Sequence, residues 1–108
     1  MLKEYNEYLD KNKETIKFIE ENNLLEDINK ADLQAIELAN LEGNQYLHSY
    51  RYSRIYDVIK EKKINIESIK IGEKAISITN LLENPYAKKL DELICDSLTQ
   101  ETNMEISY

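Results

Sequence analysis

The segment from Tyr46 to Lys63 places aromatic and basic side chains together at helical spacing. Tyr46 and Tyr50 are four residues apart, as are Tyr52 and Tyr56, and the basic side chains among and after them are Arg51, Arg54, Lys60, Lys62 and Lys63. Basic side chains can contact a phosphate backbone while aromatic rings stack on bases, so these five cations are candidate DNA-binding residues. In the alternative interpretation, the tyrosines pack at an interface or a core edge and the arginines pair with carboxylates. The acidic charge of the whole chain favours the alternative.

The other reactive side chains show no catalytic or metal-binding pattern. His48 is the only histidine and has no serine or cysteine partner at a recognised motif spacing, which argues against a hydrolytic triad. Paired carboxylates such as Glu20-Glu21 lack the alternating Asp, Asn and Gly pattern of a calcium loop. Cys95 is the only cysteine and lies on the apolar side of a predicted helix, where we expect a small buried hydrophobic residue. We therefore expect no catalytic residue, no metal ion and no cofactor, and the protein is predicted not to be an enzyme.

The composition predicts a single small domain with an acidic surface. A chain of 108 residues can form one hydrophobic core but not two, so we expect one helical oligomerisation domain over residues 1–100 and a polar tail over residues 101–108. The 14 Lys and Arg against 21 Asp and Glu give a net charge of -7, which argues against non-specific binding to nucleic acid or anionic membranes. Residues 51–74 are nevertheless basic, at +3, whereas residues 1–42 and 75–108 carry -6 and -4.

The sequence also lacks signals for membranes and nucleotides. No apolar run approaches the roughly 18 residues that a membrane span needs, and the first residues lack the apolar core of a signal peptide. A cytoplasmic protein without membrane contact is therefore expected. Two glycines and one proline leave no room for a glycine-rich phosphate-binding loop.

A central helix from Asn29 to Lys63, or two nearly collinear helices over the same residues, is predicted to organise the fold. Asn29 is a suitable N-cap, and Asp32 places a carboxylate near the positive end of the helix dipole. The helix is apolar on more than one face, and at about 1.5 Å per residue it would span roughly 50 Å, so part of it should project or contact another subunit. A first helix over residues 2–21, ended by Asn22-Asn23, would pack against it as an antiparallel helical hairpin.

The weak point of the central helix is Gly43-Asn44. Glycine costs about 1 kcal/mol relative to alanine inside a helix, and asparagine tolerates a left-handed turn. A break is possible here, but the apolar pattern resumes at Tyr46, which favours one continuous helix.

After the central helix the apolar pattern changes to alternation, with isoleucines at positions 64, 66, 69, 71, 76 and 78. This pattern predicts a short β-hairpin with its turn at Ile71 to Ala75, which must pack on the helices or pair with another copy. Asn84-Pro85 is typical of a helix start and predicts a last helix that runs to about Thr99. The expected fold is mainly α, with a helical hairpin, a long central helix, a short β-hairpin and a C-terminal helix.

The two-faced central helix and the unsupported β-hairpin both predict a homo-oligomer. We expect its interface to contain Leu47, Tyr50, Ile55, Ile59, Ile69, Ile71, Ile76 and Ile78.

The order of these features resembles the terminase small subunits of tailed bacteriophages. In that family an Asp-Leu opens a long central helix, a short β segment surrounds a glycine, and an Asn-Pro starts a last helix that closes with a Leu-Thr turn. The matching residues, over about four fifths of the chain, are Asp32-Leu33, Tyr50, Gly72, Asn84-Pro85 and Leu98-Thr99.

The resemblance implies a non-catalytic, ring-shaped homo-oligomer in the host-cell cytoplasm that helps to recognise viral DNA and regulates the large terminase subunit. The alternative is an acidic, phage-borne inhibitor or interaction protein. It would bind a basic surface of a host or defence protein through the charged face of the first helix.

Overall fold

The computed structural model describes residues 2–43 and 45–106, with side chains described for residues 3–43 and 45–99. Over this part of the chain there are six helices and no strand. The helices are α1 (Leu2–Lys11), α2 (Lys13–Glu21), α3 (Leu25–Leu41), α4 (Leu47–Glu61), α5 (Ser68–Glu83) and α6 (Leu90–Ile106). The mainly α prediction is confirmed.

The predicted β-hairpin is wrong, because residues 68–83 form helix α5. The buried residues of α5 are Ala75, Ile78, Thr79 and Leu81, and their spacing of three and four residues is helical. The alternating isoleucines are too few to distinguish the two-residue period of a strand from the 3.6-residue period of a helix. Gly72 makes no turn: a Cβ there would lie 3.2 Å from the Tyr52 hydroxyl, so the glycine allows α5 to approach α4 closely.

The prediction of a continuous central helix is also wrong, because α3 ends at Leu41 and α4 begins at Leu47. The buried face of α3 is centred on the alanines at 31, 35 and 39, and that of α4 on Ile55 and Ile59. At about 100° per residue, these faces would lie roughly 150° apart on one straight helix. A turn brings both faces towards the same interior. Gly43 permits it with a φ of 79°, a left-handed conformation typical of the residue after a helix end.

The first predicted helix is divided at Asn12 into α1 and α2. The Asn12 backbone amide and its side-chain amide both donate to the Tyr8 carbonyl, at 3.1 and 2.9 Å. The end at Asn22-Asn23 is confirmed. Asn23 has a φ of 53°, and the Leu24 amide donates to the Ile19 carbonyl at 3.0 Å, which is the Schellman geometry of a helix C-terminus.

Asn84-Pro85 follows α5 instead of starting the last helix. Asn84 is extended, as a residue before proline prefers, and its Oδ1 accepts a hydrogen bond from the Tyr86 amide at 2.8 Å. Helix α6 begins at Leu90 and continues past Thr99 to Ile106. Ser107 and Tyr108 of the predicted tail lie outside the described residues.

The helical hairpin of this fold is formed by α3 and α4, not by the first helix and a central one. Asp27 contacts Lys62 and Asp32 contacts Arg51, so α3 and α4 run in opposite directions. Helix α5 returns along α4, while α2 packs against α5 and α6, and α1 packs against α2 and α6. The length argument for a neighbouring subunit therefore no longer applies, since the helix that would project is folded back on itself.

One hydrophobic core joins these helices. Its largest fully buried side chains are Leu9, Ile16, Ile19, Leu24, Ile28, Ile55, Ile59, Ile78, Leu81, Leu90 and Leu93. Every described helix contributes to this core, so α1 and α6 are integral parts of the same packing unit as the hairpin.

Candidate functional site

Arg51 lies at the junction of three helices and is held by two carboxylates. Its Nε donates to Asp32 Oδ1 on α3 at 2.6 Å, and its Nη1 donates to Glu83 Oε2 at the end of α5 at 3.3 Å. His48 Nδ1 lies 2.7 Å from the other oxygen of Glu83. The Arg51 side chain is only 14% exposed. Its geometry is that of a structural ion pair, and its charge is already balanced, so it is poorly placed to contact phosphate.

Lys62 is engaged in a similar but more exposed way. Its Nζ lies 3.0 Å from Asp27 Oδ2, which joins the end of α4 to the start of α3. Exposed pairs of this kind contribute little stability, about 0–1 kcal/mol. The pair still cancels the charge of this lysine at the surface.

Arg54, Lys60 and Lys63 are exposed, and none forms an ion pair with another described residue. Asp57 and Glu61 are also exposed on α4 and lie among these cations along the helix. The structure therefore leaves three of the five candidate DNA-binding cations available, without gathering them on a purely basic face.

An open groove of about 430 Å³ lies between α3 and α4. Three cationic and three anionic side chains line it, together with Ala31, Gln34 and Val58, and the charged residues are Asp27, Lys30, Arg54, Asp57, Glu61 and Lys62. This balance of charges gives the groove no preference for an anionic ligand such as a phosphate.

The tyrosines pair with each other along α4. Tyr46 and Tyr50 make an edge-to-face pair with centroids 6.3 Å apart, and the Tyr52 and Tyr56 rings are 6.1 Å apart. Tyr52 and Tyr56 also pack against the hydrophobic core, as the alternative interpretation of this segment expected. Tyr46 is half exposed.

The predicted interface residues fall into three groups, which are buried, partly buried and exposed. Ile55, Ile59 and Ile78 are at most 1% exposed and belong to the core of the chain itself, so they are unavailable to another subunit in this fold. Ile71 packs at the core edge, and Leu47 and Tyr50 are partly exposed. Ile69 and Ile76 are exposed. Apolar periodicity identifies a face that needs covering, but it does not say whether the same chain covers it.

A cluster that the sequence interpretation missed attaches α1 to the C-terminal part of the chain. The Tyr5 hydroxyl donates to Asp96 Oδ2 at 2.6 Å, and Lys88 Nζ lies 4.4 Å from the centre of the Tyr5 ring. Burial, and then the hydrogen bond to Asp96, raise the pKa of Tyr5 above its ordinary value. Leu2, Tyr5 and Leu9 recur at helical spacing, which predicts that Tyr5 faces the protein, but no local signal pointed to Asp96.

Tyr8 makes the second attachment. Its hydroxyl donates to the Leu81 carbonyl at 2.9 Å, and burial raises the pKa of Tyr8 to about 12. The Tyr8 ring contacts those of Tyr5 and Tyr86, with centroids 6.1 and 6.3 Å away. The two hydroxyls therefore act as structural hydrogen-bond donors between helices.

Cys95 is exposed, contrary to the prediction of a buried residue. The buried positions of α6 include Leu90, Leu93 and Ser97, a stripe that Cys95 does not join. Among the described residues, no group of three or more His, Cys, Asp or Glu side chains is arranged to hold a metal ion. No helix in that part of the chain is long and apolar enough to cross a membrane.

These features define a small all-helical protein in which several charged and aromatic side chains hold helices together. No protein-family model matches the sequence, and the searches of curated proteins and of solved structures give no match either.

Proposed function

We propose that the protein is a non-catalytic, homo-oligomeric subunit of a DNA-packaging complex, of the kind represented by the phage terminase small subunits. The order of Asp32-Leu33, Tyr50, Asn84-Pro85 and Leu98-Thr99 supports this proposal. Three structural features of that family are not part of the support: residues 68–83 are helical here, the central helix ends at Leu41, and Asn84-Pro85 lies between α5 and α6.

The observation that carries the proposal is the exposed apolar face of α5. Ile69 is 70% exposed and Ile76 is 37% exposed. They are seven residues apart, so they lie on one side of the helix. Exposed apolar residues grouped on one face are typical of contact sites, and a sister subunit would bury these two.

Oligomerisation tests this step directly. Light scattering on the wild-type protein should report a defined assembly larger than the monomer. Ile69→Ser with Ile76→Ser should dissociate it, whereas Leu33→Ser, which changes an exposed leucine of α3, should leave it intact. A wild-type protein that stays monomeric at all concentrations contradicts the proposal.

DNA contact would be made by Arg54, Lys60 and Lys63, the available members of the predicted set. Fluorescence anisotropy with duplex DNA should show an affinity that falls as salt is raised, because phosphate binding releases counterions. Lys60→Gln with Lys63→Gln should weaken binding. The matched control, Lys3→Gln with Lys11→Gln, removes the same charge from exposed positions of α1. Equal effects of the two double variants would exclude a specific role for the α4 cations.

A second candidate function is the acidic inhibitor or interaction protein. Two observations favour it. Arg51 and Lys62 are already paired with carboxylates of this chain. The first helices also carry exposed carboxylates, which include Glu7, Asp10 and Glu14. A pull-down from host extract distinguishes the two candidates. One stoichiometric host partner, without affinity for a terminase large subunit, supports the inhibitor.

A further inference from the structure

The first two helices are separated by a single residue. Asn12 has a φ of -104° and a ψ of 13°, whereas helical residues lie near about -63° and -42°. Its amide still donates to the Tyr8 carbonyl at 3.1 Å, and the Ile16 amide donates to the Asn12 carbonyl at 3.0 Å. Hydrogen bonds of helical spacing therefore continue on both sides of Asn12, and the boundary between α1 and α2 is a bend in a nearly continuous helix.

The side chains of this segment fit a straight helix as well as the bent one. Buried and partly buried residues recur at alternating spacings of four and three, and they are Tyr5, Leu9, Asn12, Ile16 and Ile19. This spacing places all five on one side of a single helix over residues 2–21, which would span roughly 30 Å. Because α2 packs on α5 and α6, straightening the chain at Asn12 would swing α1 off the surface of α6.

The contacts that α1 would leave are made with the far end of the chain. The Tyr5 hydroxyl donates to Asp96 Oδ2 and the Tyr8 hydroxyl donates to the Leu81 carbonyl, while Lys88 Nζ lies over the Tyr5 ring. All three partners are more than 70 residues away in sequence. The connection at Asn12 is therefore the only local constraint on which copy of α1 occupies this surface.

We propose that α1 exchanges between two copies of the chain, with Asn12 straightened in each. The α1 of one copy then docks on α5 and α6 of its partner, and the partner's α1 docks in return. The exchanged dimer regains the contacts of α1 with α5 and α6, so the two forms differ mainly at Asn12 and in the entropy lost on association. The monomer is favoured in dilute solution and the dimer at high protein concentration.

A second copy is the occupant that the recognition groups select. The surface offers two hydrogen-bond acceptors, Asp96 Oδ2 and the Leu81 carbonyl, to two tyrosine hydroxyls one helical turn apart. In this sequence only Tyr5 and Tyr8 are tyrosines three residues apart. The inference does not depend on the packaging role, because it uses the docking surface of α1 and not the exposed face of α5.

Asn12→Ala tests the hinge. Alanine favours a straight helix, and the substitution removes the side-chain hydrogen bond to the Tyr8 carbonyl that is present in the bent form. Each of the two hinges in a dimer contributes about threefold, so the dimerisation constant from light scattering should rise about tenfold. Asn6→Ala, the same substitution at an exposed position inside α1, should leave it unchanged. Both are measured with Ile69→Ser and Ile76→Ser present, which removes the α5 contact.

Isotope-filtered NMR on a mixture of labelled and unlabelled Asn12→Ala chains identifies the surfaces that meet. It should detect contacts of the Tyr5 ring of one copy with the Lys88 side chain of the other. The exchange is overturned if the chain stays monomeric at every concentration, if the two alanine variants respond alike, or if a dimer lacks these contacts between copies. A variant without the α5 contact that still dimerises through Tyr5 and Lys88 supports the exchange, whether or not the packaging proposal holds.

Discussion

Lys63, one of the candidate DNA-binding residues, has a strained backbone conformation. It follows the end of α4 with a φ of 55°, in the left-handed region that side chains with a Cβ adopt at a cost. Its amide donates to the Lys60 carbonyl at 3.2 Å, which closes the helix end. A glycine is the usual residue in this position, so the lysine here carries local strain.

We therefore expect Lys63→Gly to stabilise the protein by about 0.5–1 kcal/mol, since the relief of strain exceeds the added chain entropy. Lys60→Gly, inside α4, should instead destabilise it by about 1 kcal/mol, the ordinary cost of a helical glycine. Both substitutions remove one positive charge, so a gain of stability in one and a loss in the other must come from the backbone. Urea unfolding with an unchanged slope measures both; a loss of stability in Lys63→Gly contradicts this account.

At the level of helices, the sequence identified apolar positions but not what covers them. Ile55, Ile59 and Ile78 were predicted to contact another subunit, and each is buried in the core of the chain itself. The covering partner and the connection were not predictable from local patterns. Apolar residues continue past Gly43, which favoured a continuous helix. The chain turns there because the buried faces of α3 and α4 would point in different directions on one straight helix, whereas both must contact the same core.

The junction of α3, α4 and α5 depends on Arg51. Arg51→Met should destabilise the protein by about 1–2 kcal/mol, because Asp32 and Glu83 would keep their partly buried carboxylates without the cation between them. Arg54→Met makes the same substitution at an exposed position of the same helix and should change stability by less than about 0.5 kcal/mol. Thermal or urea unfolding compares them. Similar losses in the two variants would show that the Arg51 contacts add nothing specific.

The charge pattern of the whole molecule differs from the pattern along the sequence. Residues 51–74 are basic as a segment, but folding places Asp27 and Asp32 of α3 beside Lys62 and Arg51 of α4. The candidate DNA-binding set was therefore only partly predictable: side-chain type and helical phase follow from the sequence, whereas neutralisation by a neighbouring helix follows from the tertiary fold. The same limit explains why the Tyr5–Asp96 contact was missed.

Alkaline pH should test the tyrosine attachments of α1. The unfolded chain releases the Tyr8 proton near pH 10, whereas the folded protein holds it until about 12, so rising pH favours unfolding across this interval. The stability that Tyr8 contributes is complete below pH 10 and is lost as the pH rises to about 12.

Tyr8→Phe should be less stable than the wild type near pH 8, by about 1 kcal/mol for the lost hydrogen bond, but its stability should decline less steeply above pH 10. Urea unfolding across this pH range measures the slopes, and parallel curves for the wild type and Tyr8→Phe would refute the expectation.

The contacts of Tyr5 with Asp96 and of Tyr8 with Leu81 join residues 91 and 73 positions apart. During translation, α1 leaves the ribosome long before either partner has been synthesised, whereas α3 and α4 can associate as soon as both have emerged. The part of α1 that contacts α6 therefore stays without this partner until α6 has been synthesised, a period in which a nascent chain is open to chaperones and proteases. A chain that ends before α6 would keep the contacts of α1 with α2 but would lack Asp96, the acceptor of the Tyr5 hydroxyl.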